Sequence, residues 1–240
     1  METLYGEDLA WVQARGFGGL ARGAAPHIVA LLRGAAVHRV VEIGCGAGPL
    51  TASLTAAGFD VTAIEPSPAL LELARVAAPA ARFVRGSAYG VTLPPCEAVV
   101  AFGEPLTYHP DPAAAPGLLR GFFRAAAEIL PSGGLLLFDL IATGLPLLDA
   151  RFWTADEDWA VLAETREDPA AATLARDIQV FRRTGSLYRR SSEVHRIRLF
   201  EPDDVCNWLA AAGFHVETAA AYGAQPLPPR RVVFTATRVD

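Results

Sequence analysis

The stretch "VVEIGCGAGPLT", residues 40–51, joins an acidic residue to a glycine-rich turn of a kind that binds ligands. Glu42 is followed at alternate positions by Gly44, Gly46 and Gly48. A strand that ends in such a turn and opens a helix brings backbone close to a ligand and directs helix N–H groups at it. The dinucleotide fingerprint GxGxxG would need a third glycine where this chain has Pro49. The turn therefore predicts a cofactor site, and NAD remains an alternative cofactor at this stage.

A second carboxylate, Glu65, follows the glycines after roughly 20 residues, at the end of the next predicted strand. A carboxylate at that place can accept hydrogen bonds from both hydroxyls of a ribose. The alternative is a solvated loop acid. Ser67 comes two residues later, and it is equally suited to capping the helix predicted to begin at Pro68.

Acid–base chemistry is predicted for the segment "GEPLTYHPD", residues 103–111, which follows the fourth predicted strand. In a parallel sheet this end of the strand opens onto the binding crevice. Glu104 could bind or deprotonate a substrate there and Tyr108 could orient it, although both could simply fix a proline-rich loop. The neighbouring His109 is interpreted as loop surface. Asp139, in the fifth predicted strand, could project toward the crevice or support the strand's loop.

His195 is the remaining candidate base. In "EVHRIRLF" it shares one strand face with Ile197 and Leu199, because side chains alternate between the two faces of a strand. A histidine on that apolar face could serve as a base near neutral pH. The ordinary alternative is a buried structural histidine with satisfied hydrogen bonds.

The elements that must position these residues alternate between strand and helix over the first part of the chain. Strands are predicted at 39–43, 59–65, 81–86, 97–103 and 133–141, and helices at 68–77 and 113–131. This alternation indicates βαβ units and a parallel sheet. At the N-terminus, a helical segment is expected to break at "RGAAP" before a short helix over 27–33.

The pattern changes after Ala142. Three strand candidates lie between Trp159 and Phe200, with turn signals at Asp168-Pro169 and around Gly185, and they predict an antiparallel β insertion. A helix over 202–214 and two strands, near 214–222 and 231–239, follow. The chain of 240 residues is interpreted as one domain, with an N-terminal helical segment (1–35), a cofactor-binding core (36–145), a β cap (146–200) and a C-terminal part (201–240).

Several motifs together resemble class I S-adenosylmethionine-dependent methyltransferases that act on small molecules. The similarity rests on "VVEIGCGAG", "AIEPSPALLELAR", "RFVRGSA", "AVVAFGEPLTYH", "EILPSGGLLLFDL" and "EVHRIRLFEPDDVCNWLAAAGF", which extend over nearly the whole chain. The resemblance implies an α/β, Rossmann-like fold. Its seven-stranded, mostly parallel sheet would have helices on both faces and an antiparallel last strand, with the β insertion forming a cap.

The resemblance also assigns cofactor residues. Glu42 would bind the ammonium of S-adenosylmethionine, Glu65 its ribose, and the turn Gly44–Cys45–Gly46 its amino-acid end. The remaining expected contacts are Pro66 and Ser67 beside the ribose, Ser87 and Ala88 at the adenine, Phe102 and Gly103 below the reacting centre, and Arg22 at the carboxylate, with Tyr5 nearby. Ser87 departs from the family, because many relatives have an aspartate there that accepts from the adenine amino group.

The expected activity is methyl transfer to a nitrogen or oxygen of a small-molecule acceptor, with Glu104, Tyr108 and His195 as the catalytic candidates. A net charge of −5 argues against nucleic acid as a partner, but six arginines of the insertion keep an RNA methyltransferase open. They are Arg182, Arg183, Arg189, Arg190, Arg196 and Arg198, and acids on neighbouring strands could equally pair with them. A non-catalytic protein that binds S-adenosylmethionine is the other alternative.

The composition sets the remaining expectations. The cysteines, Cys45, Cys96 and Cys206, have no spacing that indicates a disulfide framework or a metal site. No apolar stretch has the length of a membrane span, and the first residues lack the pattern of a signal peptide. We therefore expect a cytoplasmic monomer or homodimer without a metal.

Overall fold

The computed structural model describes residues 4–108, 111 and 114–239, so His109 lies outside the described residues. The helices are α1 (Glu7–Gly16), α2 (Gly19–Gly34), α3 (Pro49–Ala56), α4 (Pro68–Ala77), α5 (Ala115–Ile129) and α6 (Pro202–Ala211). The strands of the main sheet are β1 (Arg39–Ile43), β2 (Asp60–Glu65), β3 (Arg82–Arg85), β4 (Ala98–Ala101), β5 (Leu135–Ile141), β10 (Phe214–Ala219) and β13 (Arg231–Arg238). Four strands form a second sheet, namely β6 (Ala150–Asp156), β7 (Trp159–Asp168), β8 (Thr173–Thr184) and β9 (Leu187–Arg198). A small hairpin is made by β11 (Ala221–Tyr222) and β12 (Gln225–Pro226).

The main sheet has seven strands in the order β10-β13-β5-β4-β1-β2-β3. Neighbours from β5 to β3 are parallel, and β13 runs antiparallel to both β5 and β10. The predicted fold class is therefore confirmed, including the antiparallel last strand and the additional antiparallel sheet.

Helices cover both faces of this sheet, which explains why its central strand is apolar along nearly its whole length. Every residue of β5 is buried, as the continuous apolar run "LLLFDLI" predicts for a central strand. Alternate residues of each strand join opposite cores: Leu136 and Phe138 pack with α5 and α6, whereas Leu135 and Leu137 pack on the side of α2 and α3. None of the helices in the described part of the chain is long and apolar enough to cross a membrane.

The predicted break at "RGAAP" is wrong, because α2 runs without interruption from Gly19 to Gly34 with Pro26 inside it. A proline there removes one backbone hydrogen bond of the helix. The cost is offset by packing, since Ala21, Ala25 and Ile28 on the same helix are buried against the main sheet. The helical segment is broken earlier, between α1 and α2 at Phe17–Gly18.

The cap sheet contains one strand more than the three predicted. The additional strand, β6, has the sequence "ARFWTAD", in which no residue is buried. Without a buried face it lacks the alternation of apolar and polar residues that is typical of a half-buried strand. Helix α1 packs between the cap and the main domain, with Leu9 and Val12 against Trp159 and Val180.

Candidate active site

A cavity of about 1780 Å³ opens at the carboxyl ends of β1, β2 and β4, between the main sheet, the N-terminal segment and the inner face of the cap. All fifteen residues predicted for the site line it: Arg22, Glu42, Gly44, Cys45, Gly46, Glu65, Pro66, Ser67, Ser87, Ala88, Phe102, Gly103, Glu104, Tyr108 and His195. Residues from distant parts of the sequence thus surround one space, and its two ends differ in chemistry.

At the cofactor end, backbone donors orient the Glu65 carboxylate. Gly46 N donates to Oε2 over 3.0 Å, and Ser67 N donates to Oε1 over 2.9 Å. A carboxylate has about four acceptor positions, so each oxygen keeps room for another donor. Burial raises the pKa of Glu65, while the two N–H groups oppose that rise. This geometry suits a pair of ribose hydroxyls.

Glu42 lies at the end of β1 and is almost completely buried. Thr51 donates its hydroxyl to Oε2 over 2.6 Å, and Oε1 accepts no hydrogen bond from the described residues. Burial raises the pKa of Glu42 to about 8, and the nearby Glu65 adds to the effect. A cationic ligand group beside Glu42 would supply the charge partner that the protein does not.

The glycines of the turn have distinct constraints. Gly44 has a φ of +67°, and a Cβ there would lie 2.3 Å from the Pro105 ring. Gly46 has a φ of +57° with open space where a Cβ would be, so its backbone stays accessible from the cavity. Cys45 is buried, and burial raises its thiol pKa so far that it is not a nucleophile at neutral pH.

Ser67 and Ser87 both use their hydroxyls locally. Ser67 Oγ caps α4 by accepting from Leu70 N over 3.2 Å, and it donates to Tyr5 O over 2.7 Å. Ser87 Oγ accepts from Tyr89 N over 3.2 Å, within its own loop. The capping alternative for Ser67 is therefore observed, and Ser67 additionally holds the N-terminal segment.

The floor of the cavity is formed where β4 ends. Phe102 packs against Tyr222 with ring centroids 5.2 Å apart, and Gly103 N donates to Asp139 Oδ1 over 2.9 Å. Tyr222 donates to the same carboxylate oxygen over 3.0 Å. Asp139 is fully buried and supports this loop, which was one of the two roles considered for it. The Arg22 guanidinium is exposed and makes no hydrogen bond or ion pair with any residue the structure describes, although its backbone N–H donates to Gly18 O within the helix.

The surroundings of Glu104 are not those of a general base, because arginines already occupy its carboxylate oxygens. Arg176 donates to both of its carboxylate oxygens, over 3.0 and 3.2 Å, and Arg231 donates to Oε1 as well. These two guanidinium groups outweigh the effect of burial and lower the pKa of Glu104. The residue also has a φ of +67°, a left-handed conformation that is strained for a residue with a side chain. Glu104 is thus an anchored carboxylate that fixes two arginines.

At the other end of the cavity, where the sequence predicts the acceptor, the rings of Tyr5, Tyr108 and His195 lie together in the lining. His195 is fully buried, and its ring centroid lies 4.8 Å from that of Tyr5 and 5.7 Å from that of Tyr108. Arg176 Nη1 donates to the Tyr108 hydroxyl over 3.2 Å, which links the rings to Glu104. Burial raises the pKa values of both tyrosines, so their hydroxyls remain protonated at neutral pH.

The environment of the His195 ring is asymmetric. Nε2 lies 2.9 Å from Glu193 Oε2, whereas Nδ1 is buried and has no hydrogen-bond partner among the described residues. Because Glu193 remains an acceptor, it selects the tautomer that carries its proton on Nε2. Nδ1 then holds an unshared electron pair, which is the requirement for accepting a proton.

Sequence reasoning missed Arg176, Arg231 and Glu193. Glu193 had a usable signal, since residues 193 and 195 of one strand share a face. Arg176 and His195 are paired across β8 and β9, and Arg231 is placed by the antiparallel pairing of β13 with β5. That proximity depends on strand register between distant segments, for which the sequence had no local signal.

Three of the six arginines named in the insertion pair with acids other than those expected. Arg182 and Arg189 pair with Glu7 and Asp8 of α1, and Arg183 pairs with Glu157 and Asp158. The acids on neighbouring strands have other partners: Glu164 pairs with Arg151, Asp177 with Arg166, and Glu167 with Arg230. The insertion is therefore not a row of free cations.

Comparison with known proteins agrees with this architecture. A family model described as a methyltransferase domain matches residues 18–219. A provisionally named methyltransferase of Geobacillus sp. (strain WCH70) is 28% identical over 187 residues, which are 74% of each chain. The CcbJ methyltransferase from Streptomyces caelestis superposes with a TM-score of 0.78 at 23% identity, over the full length of both chains. CalS10, an amino pentose methyltransferase from Micromonospora echinaspora solved with bound S-adenosylmethionine, superposes with a TM-score of 0.73 at 22% identity, again over both full chains.

The chain belongs to the methyltransferase domain family and is a class I S-adenosylmethionine-dependent methyltransferase. Its cofactor is S-adenosylmethionine, which supplies a methyl group activated on a sulfonium. The oriented carboxylate of Glu65, the open acceptor of Glu42 and the accessible backbone of Gly46 fit such a molecule. The NAD-dependent and non-catalytic alternatives are thereby set aside.

Proposed function

We propose that this enzyme methylates a nitrogen or oxygen of a small-molecule acceptor, with His195 as the general base. The observation that carries the proposal is the buried, unpartnered Nδ1 of His195, a residue that lines the cofactor cavity. An acceptor that arrives as a hydroxyl or an ammonium must lose a proton during the transfer. Nδ1 takes that proton, and the Glu193 carboxylate at Nε2 stabilises the resulting imidazolium.

The other residues align the acceptor and exclude water. Methyl transfer is an in-line displacement, so a correct approach angle accounts for much of the rate. We assign this role to the hydroxyls of Tyr5 and Tyr108, which share a side-chain hydrogen bond and whose rings both pack against His195. Glu104 and Arg176 hold Tyr108 in place and do not themselves transfer a proton.

The cap wall supports an acceptor that also has an apolar part. Phe152, Leu147 and Ile178 line the cavity on the cap side, and the first two are partly exposed to solvent. Apolar surface of this kind binds apolar parts of a ligand, while a few polar groups fix its orientation. Since CalS10 is named as an amino pentose methyltransferase, amines on sugar rings are the first acceptors to examine.

The test uses labelled S-adenosylmethionine and pairs of matched acceptors. The two members of a pair share one sugar or apolar scaffold, and one carries an amine where the other carries a hydroxyl. With the acceptor that takes label, we expect His195→Gln to lower kcat/KM by about 10²–10⁴-fold, the usual contribution of a general base. Affinity for S-adenosylmethionine should change by less than about threefold, since a base does not hold the cofactor.

His215→Gln is the matched control, because His215 is an exposed histidine on β10 outside the cavity lining. It should leave kcat/KM unchanged. Full turnover by the His195 variant would contradict its role as base, and label transfer to RNA instead of any small molecule would contradict the acceptor class.

A further inference from the structure

Glu193 of the cap strand β9 binds two separate parts of the site at once. Its Oε2 lies 2.9 Å from His195 Nε2 and accepts from Tyr5 N over 2.7 Å. Its Oε1 accepts from Gly6 N over 2.8 Å. The side chain is only 11% exposed, so these N–H groups are its main partners. One carboxylate therefore joins the candidate base to the backbone of residues 5 and 6. They belong to the first part of the N-terminal segment, residues 4–9, which is the part meant below.

Tyr5 is held from a second side. Ser67 donates its hydroxyl to Tyr5 O over 2.7 Å, and the Tyr5 backbone has a φ of +53°. A left-handed conformation is unfavourable for a residue with a side chain, so Tyr5 does not adopt it by its own preference. Glu193 and Ser67 thus hold the backbone of residues 5 and 6 at the cavity, and the Tyr5 ring packs against His195.

We propose that Glu193 is a positioning residue which makes the proton-accepting tautomer of His195 depend on docking of the N-terminal segment. This inference rests on the proposed role of His195. When the segment is docked, its two N–H groups fix the Glu193 carboxylate, which in turn fixes the proton of His195 on Nε2 and leaves Nδ1 open. When the segment leaves, Glu193 loses two of its three donors and can turn away, so the imidazole is no longer restricted to one tautomer.

The first experiment measures the tautomer by nitrogen NMR of ¹⁵N-histidine-labelled full-length protein, and segment docking by amide hydrogen exchange of residues 4–9. In the unaltered protein His195 should show one tautomer, protonated at Nε2. In Glu193→Gln we expect a mixture of tautomers, exchange of residues 4–9 faster by about tenfold or more, and a kcat about tenfold or more lower.

Glu164→Gln is the matched control. Glu164 is a carboxylate on the neighbouring part of the cap that pairs with the exposed Arg151 and does not line the cavity. It should leave the tautomer, the exchange rates and kcat unchanged. If Glu193→Gln lowers kcat while the tautomer and the exchange stay as they were, Glu193 has only a structural role and the proposal is overturned.

Ser67→Ala weakens docking without changing the carboxylate, since it removes the hydrogen bond to Tyr5 O and leaves Glu193 and His195 in place. We expect faster exchange of residues 4–9 together with a mixture of His195 tautomers. Faster exchange with an unchanged tautomer would overturn the coupling. This test remains valid even if Glu193→Gln fails to fold. Neither readout requires turnover, so a failure here is distinct from a failure of His195→Gln to reduce kcat/KM.

Discussion

Glu65 carries the most specific cofactor contact expected of any single side chain. Its two oxygens are already oriented by backbone N–H groups, so ribose hydroxyls placed there would meet a fixed acceptor. Hydrogen bonds to a charged group contribute about 1.5–3 kcal/mol each. We therefore predict that Glu65→Gln weakens S-adenosylmethionine binding by about 10–100-fold, measured by calorimetric titration.

The control for Glu65 lies on the same strand. Asp60 begins β2, is exposed, and pairs with Arg82 far from the turn. Asp60→Asn should leave the dissociation constant unchanged. Equal affinity of the two variants would mean that Glu65 does not bind the ribose.

We predict that Glu42 makes cofactor binding depend on pH, with a defined sign. Its pKa is raised to about 8 by burial, so in the free protein it is largely protonated at neutral pH. The cofactor's ammonium would favour the carboxylate, so binding releases a proton and affinity increases with pH. Between about pH 5.5 and 7 we predict up to tenfold tighter binding per pH unit from this group.

The same group affects the stability of the free protein with the opposite trend. A pKa raised above the unfolded value of about 4.3 contributes stability that is present below that value and is lost as pH rises through about 8. Glu42→Gln cannot ionise, so it should flatten the pH dependence of both affinity and unfolding free energy. An unchanged affinity slope in that variant would exclude Glu42 as the ammonium partner.

At the scale of a single element, α2 provides a test of what a proline costs inside a helix. Pro26 is exposed and lies in the middle of the helix, where it removes one backbone hydrogen bond. Pro26→Ala should restore that bond and raise the free energy of unfolding by about 1–2 kcal/mol, after the greater entropy of the unfolded chain is subtracted. Chemical denaturation measures the change.

Pro68 is the matched control, because it is also exposed but occupies the first turn of α4, beside the capping Ser67. A proline at this position has no helical hydrogen bond to lose and has a suitable φ. Pro68→Ala should therefore be neutral or destabilise by a few tenths of a kcal/mol. A loss of stability in Pro26→Ala would show that α2 has adapted to its proline.

Over the whole molecule, the N-terminal segment and the cap are joined by ion pairs at Asp8. Asp8 is buried and bound by Arg189 on β9, with Arg182 on β8 nearby, whereas Glu7 contacts the same arginines but is mostly exposed. We predict that Asp8→Asn lowers Tm by about 2–4 °C, as expected for one well-formed buried contact in a chain of this size. It should also speed hydrogen exchange in α1.

Glu7→Gln should leave both quantities nearly unchanged, because exposed ion pairs contribute little. The two substitutions are at neighbouring positions and remove the same charge. A difference between their changes in Tm therefore measures the effect of burying the carboxylate. Equal effects would mean that α1 docks on the cap through Leu9 and Val12 alone.

The sequence predicted the central sheet well because its signals are local. Buried apolar runs such as Leu135–Ile141 and the glycine turn after β1 leave a pattern within a few residues. The same locality explains the two errors. Pro26 is a strong local signal for a break that packing overrides, and β6 has no buried face to produce a pattern.

By itself the sequence determined the class of enzyme, its cofactor motifs and the residues that would surround the cavity. Only the tertiary structure decided how the residues at the acceptor end are paired. The pairing of Glu104 with Arg176 and Arg231, and of Glu193 with His195 and Tyr5, joins segments up to 188 residues apart. Such contacts follow from strand register and from the docking of the cap, which are global properties of the fold. Because of these contacts we interpret Glu104 as a carboxylate that holds two arginines, and we propose His195, whose Nδ1 has no partner among the described residues, as the base.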